Sequence, residues 1–126
     1  MQRSPRPVLL LTLWALAGCP TEVTLGDVQT EVFSQSCAFS SCHGAGQEGE
    51  LGLTDASTSA AELVGVDSFE LPGTLRVIAG DAEGSLLFQL LQGEVNPVRQ
   101  MPVNGQVTQK QLDMVRTWID DGALTE

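Results

Sequence analysis

The feature that most constrains this chain is a short segment, residues 37–43, with the sequence CAFSSCH. It places two thiols, Cys37 and Cys42, within six residues, and the only histidine of the chain, His43, follows directly. The density of glycine and serine around this segment predicts that residues 34–53 form a loop with at most one helical turn. A fold of this chain therefore has to accommodate two thiols and an imidazole on one irregular stretch.

The first 18 residues have the three parts of a secretory signal. Two arginines precede an apolar run over residues 8–16, and two small residues come directly before Cys19. The run is too short for a bilayer core, which takes roughly 20 apolar residues. The sequence before Cys19 resembles the bacterial lipobox, in which the cysteine is acylated and becomes the first mature residue. We therefore expect a signal peptide over 1–18 and a lipid anchor with its tether over 19–26, in the periplasm or at the outer surface. An ordinary signal peptide with an incidental cysteine is the alternative.

The predicted mature chain is strongly acidic. Removal of the signal leaves four of the six basic residues against 16 acidic ones, a formal charge of −12 over 108 residues. This argues against nucleic acid as a partner, because phosphate binding needs clustered Lys and Arg. It favours a basic partner. The length allows one small domain, which we place at residues 27–126.

Hydrophobic spacing and capping residues predict an all-α domain of three to five helices. The first helix follows Asp27 as its N-cap, and the others are expected at 55–64, from 81 to a stop at Gly93, and from 109 to about 121. Loops over 65–82 and 94–107 join them. So small a domain with such long loops usually needs a disulfide, a metal or another staple.

The CAFSSCH segment meets the requirements for covalent haem attachment. Each thiol can add across a vinyl group of the porphyrin, and the adjacent histidine can supply an axial nitrogen to the iron. A second axial ligand must then be a different residue type, and methionine is usual in electron carriers. Met114 falls within the last helix, which leaves Met101, on the loop before it. The predicted site therefore holds one haem c, attached at Cys37 and Cys42, with His43 and Met101 as iron ligands.

Several further motifs support this prediction by resemblance. A Cys-His-Gly after an N-terminal helix, a late Met-Pro loop and a closing helix with Trp-Ile before Gly-Ala resemble the class I cytochrome c domain. Three internal phrases are similar to those of cytochrome c-like domains in surface lipoproteins of myxobacteria and planctomycetes: LVGV at 63–66, RVIAGD at 76–81 and SLL at 85–87.

The resemblance covers roughly residues 27–124. It implies thioether bonds at both cysteines of the motif, His43 as proximal ligand, Met101 as distal ligand, and Pro102 as the residue that holds the methionine loop in shape. It also implies single-electron transfer. The sequence contains no nucleophile–base–acid pattern and no phosphate loop, so we do not expect an enzyme.

One departure from the family pattern leaves alternatives open. Four residues separate the cysteines instead of two, and side chains five apart on an ideal helix point about 140° away from one another. The segment must then bulge outward for both sulfurs to reach one porphyrin.

The main alternative is a haem-free structural or interaction lipoprotein with a Cys37–Cys42 disulfide. A haem sensor, in which a small ligand replaces Met101, is the third possibility. A zinc site lacks a fourth ligand.

The remaining aromatic and sulfur side chains are predicted to be packing residues. Met114 and Trp118 are expected to pack within the domain, and the four phenylalanines of the chain are expected in the core: Phe33, Phe39, Phe69 and Phe88.

Overall fold

The computed structural model describes residues 21–125, so the predicted signal peptide and the predicted lipid site at Cys19 lie outside the described residues. Within this range the chain forms four helices. Helix α1 covers residues 25–36 as three consecutive segments, Leu25–Val28, the π-helical Gln29–Phe33 and Ser34–Ser36. The others are α2 (Ala56–Leu63), α3 (Leu86–Gln92) and α4 (Gln109–Asp120).

The segments between the helices are irregular, as expected. Glu48–Glu50 forms a single 3₁₀ turn, and the extended pairings within residues 21–125 are isolated bridges, such as Val64 with Val77 and Asp67 with Leu75. The all-α prediction is therefore confirmed. Within the same range, no helix has the length and apolar character needed to cross a membrane.

Helix α1 begins earlier than the sequence suggested. Thr24 is the N-cap, and its hydroxyl accepts from the Asp27 amide while the Asp27 carboxylate accepts from the Thr24 amide at 2.9 Å. This is a capping box, so Asp27 is its third helical residue and the prediction that it is the N-cap is wrong. Leu25 is fully buried, and packing therefore starts within the predicted tether.

Two of the other three helix starts agree with the sequence. Asp55 caps α2 by accepting from the Thr58 amide at 2.9 Å, and Thr108 forms a capping box with Gln111 at the start of α4. Helix α3 ends at Gly93 as predicted but begins only after Ser85. The acidic stretch before it forms a turn, in which the Asp81 carboxylate accepts from the Gly84 amide at 2.9 Å. The predicted start at 81 is wrong because these residues cap a turn instead of a helix.

The core lies where α1, α3 and α4 meet the irregular segment after α2. Its fully buried members include Val28, Val32, Phe33, Leu63, Val77, Phe88, Val115, Trp118 and Ile119. The Trp118 indole donates to the Leu124 carbonyl oxygen at 2.9 Å, and Met114 packs against this core, so both are packing residues as predicted. The Leu124 carbonyl oxygen also accepts from the Leu25 amide at 3.0 Å, which joins the start of the fold to its end.

Two of the four phenylalanines are not in the core. Phe33 and Phe88 are fully buried, but Phe39 is 54% exposed and Phe69 is 57% exposed. The prediction that all four are core residues is wrong for this pair. Both lie on irregular segments, where no helical periodicity fixes which way a side chain points.

Candidate functional site

The segment between the two cysteines forms an outward turn. The amides of Cys42 and Gly44 both donate to the Phe39 carbonyl oxygen, at 2.9 and 3.0 Å, and residues 39–41 are exposed. Beneath this turn, the His43 amide donates to the Cys37 carbonyl oxygen at 3.2 Å. The four residues between the cysteines thus form a bulge, and the backbone of His43 lies next to that of Cys37.

Gly44 makes this turn compact. A Cβ atom at this position would lie 2.6 Å from the Ala38 carbonyl oxygen and 2.8 Å from that of Phe39. Both obstacles are backbone atoms of the same tight turn, so they cannot move aside at small cost. A glycine directly after His43 is therefore a steric requirement of this loop.

Three of the four predicted haem-site residues line one cavity. Cys37, His43 and Met101 all contribute to its wall, although Met101 lies far from the other two in sequence. Its volume is about 300 Å³, at the lower end of the range for small-ligand pockets. Most of its wall is apolar, and the aliphatic lining residues are Leu51, Leu53, Leu63, Leu86, Leu87, Leu90, Leu91, Pro97 and Val98. Cys42 is half-buried and is not part of this wall.

The His43 ring is oriented by a backbone oxygen. Its Nδ1 atom lies 3.3 Å from the Leu51 carbonyl oxygen, and its own carbonyl oxygen accepts from the Leu53 amide at 2.6 Å. Because a carbonyl oxygen only accepts, the neutral ring has its proton on Nδ1 in this arrangement. The lone pair is then on Nε2, which is the nitrogen that could bind a metal.

Cys37 and Cys42 are both free thiols in this structure. Burial raises the pKa of Cys37 to about 11, and the nearby Cys42 adds to this rise because two thiolates would repel one another. The buried thiol is therefore held in its protonated form. Within residues 21–125, no group of three or more His, Cys, Asp or Glu side chains is placed to hold a metal ion.

The loop that carries Met101 is attached to the end of α3. The Met101 amide donates to the Leu90 carbonyl oxygen at 2.9 Å, and Met101 itself is half-buried. Leu90 belongs to the aliphatic wall of the cavity. One hydrogen bond thus fixes the methionine beside that wall.

Two buried polar residues, one on the cavity wall and one outside it, were not expected from the sequence. Arg76 is buried and lines the cavity, and its guanidinium donates to the carbonyl oxygens of Gly49, Glu50 and Glu62 at 2.8–3.1 Å. It thereby holds the Glu48–Glu50 turn against α2, and no local sequence pattern marks it. Gln29 is buried in α1, and its i, i+4 spacing from Leu25 and Phe33 is a signal that could have placed it on the apolar face.

Comparisons with known proteins found no relative. No family model matches the chain, and neither the curated proteins nor the solved structures contain a match.

Proposed function

We propose that this chain is a lipid-anchored, monohaem c-type cytochrome-like protein that transfers single electrons outside the cytoplasm. One observation carries the proposal: Cys37, His43 and Met101 line a single apolar cavity. A thiol, an imidazole and a thioether on one such cavity are the donor set of a c-type haem with histidine and methionine axial ligands. The class I cytochrome c-like fold is part of this proposal.

The residues present suit a haem in three respects. The Nδ1 atom of His43 is engaged by the Leu51 carbonyl oxygen, which leaves Nε2 for the iron, as in most metal-binding histidines. Cys37 would form one thioether bond from the cavity wall. Cys42, half-buried at the end of the outward turn, would form the second.

The remaining wall residues would control the environment of the group. When bound, haem would supply a one-electron couple. The leucines of α3 would exclude water from the cavity, and the sulfur of Met101 would favour the reduced state relative to a nitrogen ligand. Arg99, on the wall, would offset the negative charge of the haem propionates, whereas Arg76 is already bound to backbone carbonyl oxygens and to the Glu62 carboxylate.

The proposed location and partner follow from the sequence. The signal over 1–18 would direct export and then be removed, and the acylated Cys19 would hold the domain at a membrane surface in the periplasm or outside the cell. The excess of 16 acidic over four basic residues in the mature chain would favour a basic redox partner, whose approach the acidic surface would accelerate.

The test is a pyridine haemochrome assay on the full chain, produced in an oxidising compartment together with a c-type haem attachment system. The control is the double variant Cys37→Ala/Cys42→Ala. We expect covalently bound haem in the natural chain and none in the control. A colourless protein would contradict the proposal. If Cys37 and Cys42 then react with an alkylating agent only after a reductant is added, the two residues form a disulfide and the protein is the haem-free scaffold.

A further inference from the structure

Helix α1 has one amide side chain within its buried face. Gln29 is 7% exposed, whereas its neighbours on that face, Leu25, Val28 and Val32, are fully buried aliphatic residues. A polar group in such a place costs free energy unless it is hydrogen-bonded at both of its ends. The hydrogen bonds of Gln29 therefore indicate its role.

Both ends of this amide are engaged by residues far away in sequence. The Nε2 group of Gln29 donates to the Leu53 carbonyl oxygen at 2.9 Å, and its Oε1 atom accepts from the Ser59 hydroxyl at 2.7 Å. A longer hydrogen bond, at 3.4 Å, joins Nε2 to the Ser34 hydroxyl on the same helix. The Ser59 hydroxyl comes from α2, and Ser59 is itself fully buried. Ser59 of α2 thus orients the Gln29 side chain, and Gln29 in turn fixes the position of the Leu53 carbonyl group.

The element that Gln29 holds is the segment that orients His43. Residues 51–53, here called the strap, contact His43 twice: the Leu51 carbonyl oxygen lies 3.3 Å from Nδ1, and the Leu53 amide donates to the His43 carbonyl oxygen at 2.6 Å. Leu51 and Leu53 also line the cavity. The hydrogen bond from Gln29 attaches this strap to α1.

The backbone of α1 is altered at the same residue. Gln29 begins the π-helical segment Gln29–Phe33, and its carbonyl oxygen accepts from the Ser34 amide, five residues on. Single π turns within α-helices occur frequently at functional sites. Here the wider turn begins at the residue whose side chain contacts the strap.

We infer that Gln29 is a positioning residue for His43, acting through the strap. This inference rests on the proposed haem function. Gln29 fixes the Leu53 carbonyl group, the strap then keeps the Leu51 oxygen beside Nδ1, and this contact sets the tautomer and orientation of the ring. A hydrogen bond from Nδ1 also makes the imidazole a stronger metal donor, which favours the oxidised iron. Loss of the amide is expected to raise the reduction potential.

The test variant is Gln29→Met, which keeps the length and shape of the side chain and removes all three of its side-chain hydrogen bonds. The matched control is Gln35→Met, because Gln35 lies on the same helix, is exposed, and has a side-chain amide that donates to the Thr30 carbonyl oxygen of its own helix. Ser59→Ala is the second variant. It removes only the hydroxyl that orients Gln29 and decides the question where Gln29→Met does not fold.

Two measurements separate positioning from plain stability. In the haem-free full chain, NMR gives the exchange rate of the Leu53 amide and the ring nitrogen shifts of His43. In Gln29→Met we expect the Leu53 backbone amide to exchange about tenfold faster, because the net stabilisation from one hydrogen bond is lost. We also expect the His43 ring to be a mixture of its two neutral tautomers. In the haem-loaded chain, we expect a higher reduction potential. Gln35→Met should match the natural chain in both measurements.

The inference is overturned if Gln29→Met and Ser59→Ala lower the melting temperature but leave the His43 tautomer and the potential unchanged. In that case Gln29 only stabilises the fold. Absence of haem from the natural chain would overturn the proposed function by itself. The NMR measurement would still decide whether Gln29 positions His43, because it needs no haem.

Discussion

The amide of His43 donates to the carbonyl oxygen of Cys37 at 3.2 Å, although five residues lie between them in the chain. This contact closes the CAFSSCH segment into a compact loop with its middle turned outward. It accommodates a cysteine spacing of four residues without moving His43 away from Cys37. Several measurable consequences depend on this loop and on the cavity beneath it.

Gly44→Ala should destabilise the protein by about 1–3 kcal/mol, the usual cost of forcing extra volume into a packed site. The added Cβ would meet the Ala38 and Phe39 carbonyl oxygens at 2.6 and 2.8 Å. Gly93→Ala is the control, because its added Cβ would have no heavy atom within 4 Å and should change stability by less than about 0.5 kcal/mol. Urea unfolding of both variants measures the difference. Equal stabilities would show that the loop rearranges freely.

Met101→Ala should lower the reduction potential of the haem-loaded protein. As an iron ligand, the thioether of Met101 would stabilise the reduced state relative to a nitrogen ligand, so its removal would favour the oxidised state. The variant should also bind added imidazole, as seen in the absorption spectrum. Met114→Ala is the matched control, because Met114 lies on α4, packs against the core of the domain and is not on the cavity wall. A potential that shifts equally in both variants would argue against Met101 as a ligand.

The haem-free chain should lose stability above about pH 9. The pKa of Cys37 is raised from 9.0 to about 11 by burial and by the nearby Cys42. The unfolded chain therefore releases this proton first, and its contribution to stability is complete below about pH 9 and lost as the pH rises through about 11. Urea unfolding at pH 8 and pH 10 tests this against Cys37→Ala, which should lack this part of the alkaline loss. An unchanged pH dependence in the variant would refute it.

Asp55→Asn should reduce the loss of stability in acid. The Thr58 amide and hydroxyl lower the pKa of Asp55 by hydrogen bonding to its carboxylate at the start of α2. A lowered folded-state pKa means that stability is present above the ordinary aspartate range and is lost as the pH falls below it. Asparagine also caps helices well but does not titrate in this range. Thermal unfolding from pH 7 to pH 3 should therefore give a shallower decline in the variant, and parallel curves would contradict the assignment.

The sequence predicted the helical class, two of the four helix starts and the packing of Trp118, because these depend on local spacing and capping. It misplaced the start of α3, since Asp81 and Ser85 satisfy a turn with the same side chains that favour an N-cap. It also misplaced Phe39 and Phe69, which lie on segments without periodicity.

The sequence indicated which residues to consider for the candidate site, but it did not indicate the contacts that hold them in place. The adjacency of Cys37 and His43 follows from their spacing, and Met101 was selected because few other ligands were available. The contacts of Arg76 with Gly49, Glu50 and Glu62, and the hydrogen bond from Gln29 to Leu53, join residues at least 14 apart in the chain. Such contacts depend on tertiary packing, which no local pattern contains.

The Leu124 carbonyl oxygen accepts from both the Leu25 amide and the Trp118 indole. The first helix of the described fold is therefore hydrogen-bonded directly to its last residues, and the two ends of the fold lie close together. A linker or label attached before Thr21 would leave the domain close to one attached after Thr125. A short peptide could join these ends directly, so that new ends could be opened at an exposed loop such as 103–106 in a circularly permuted protein.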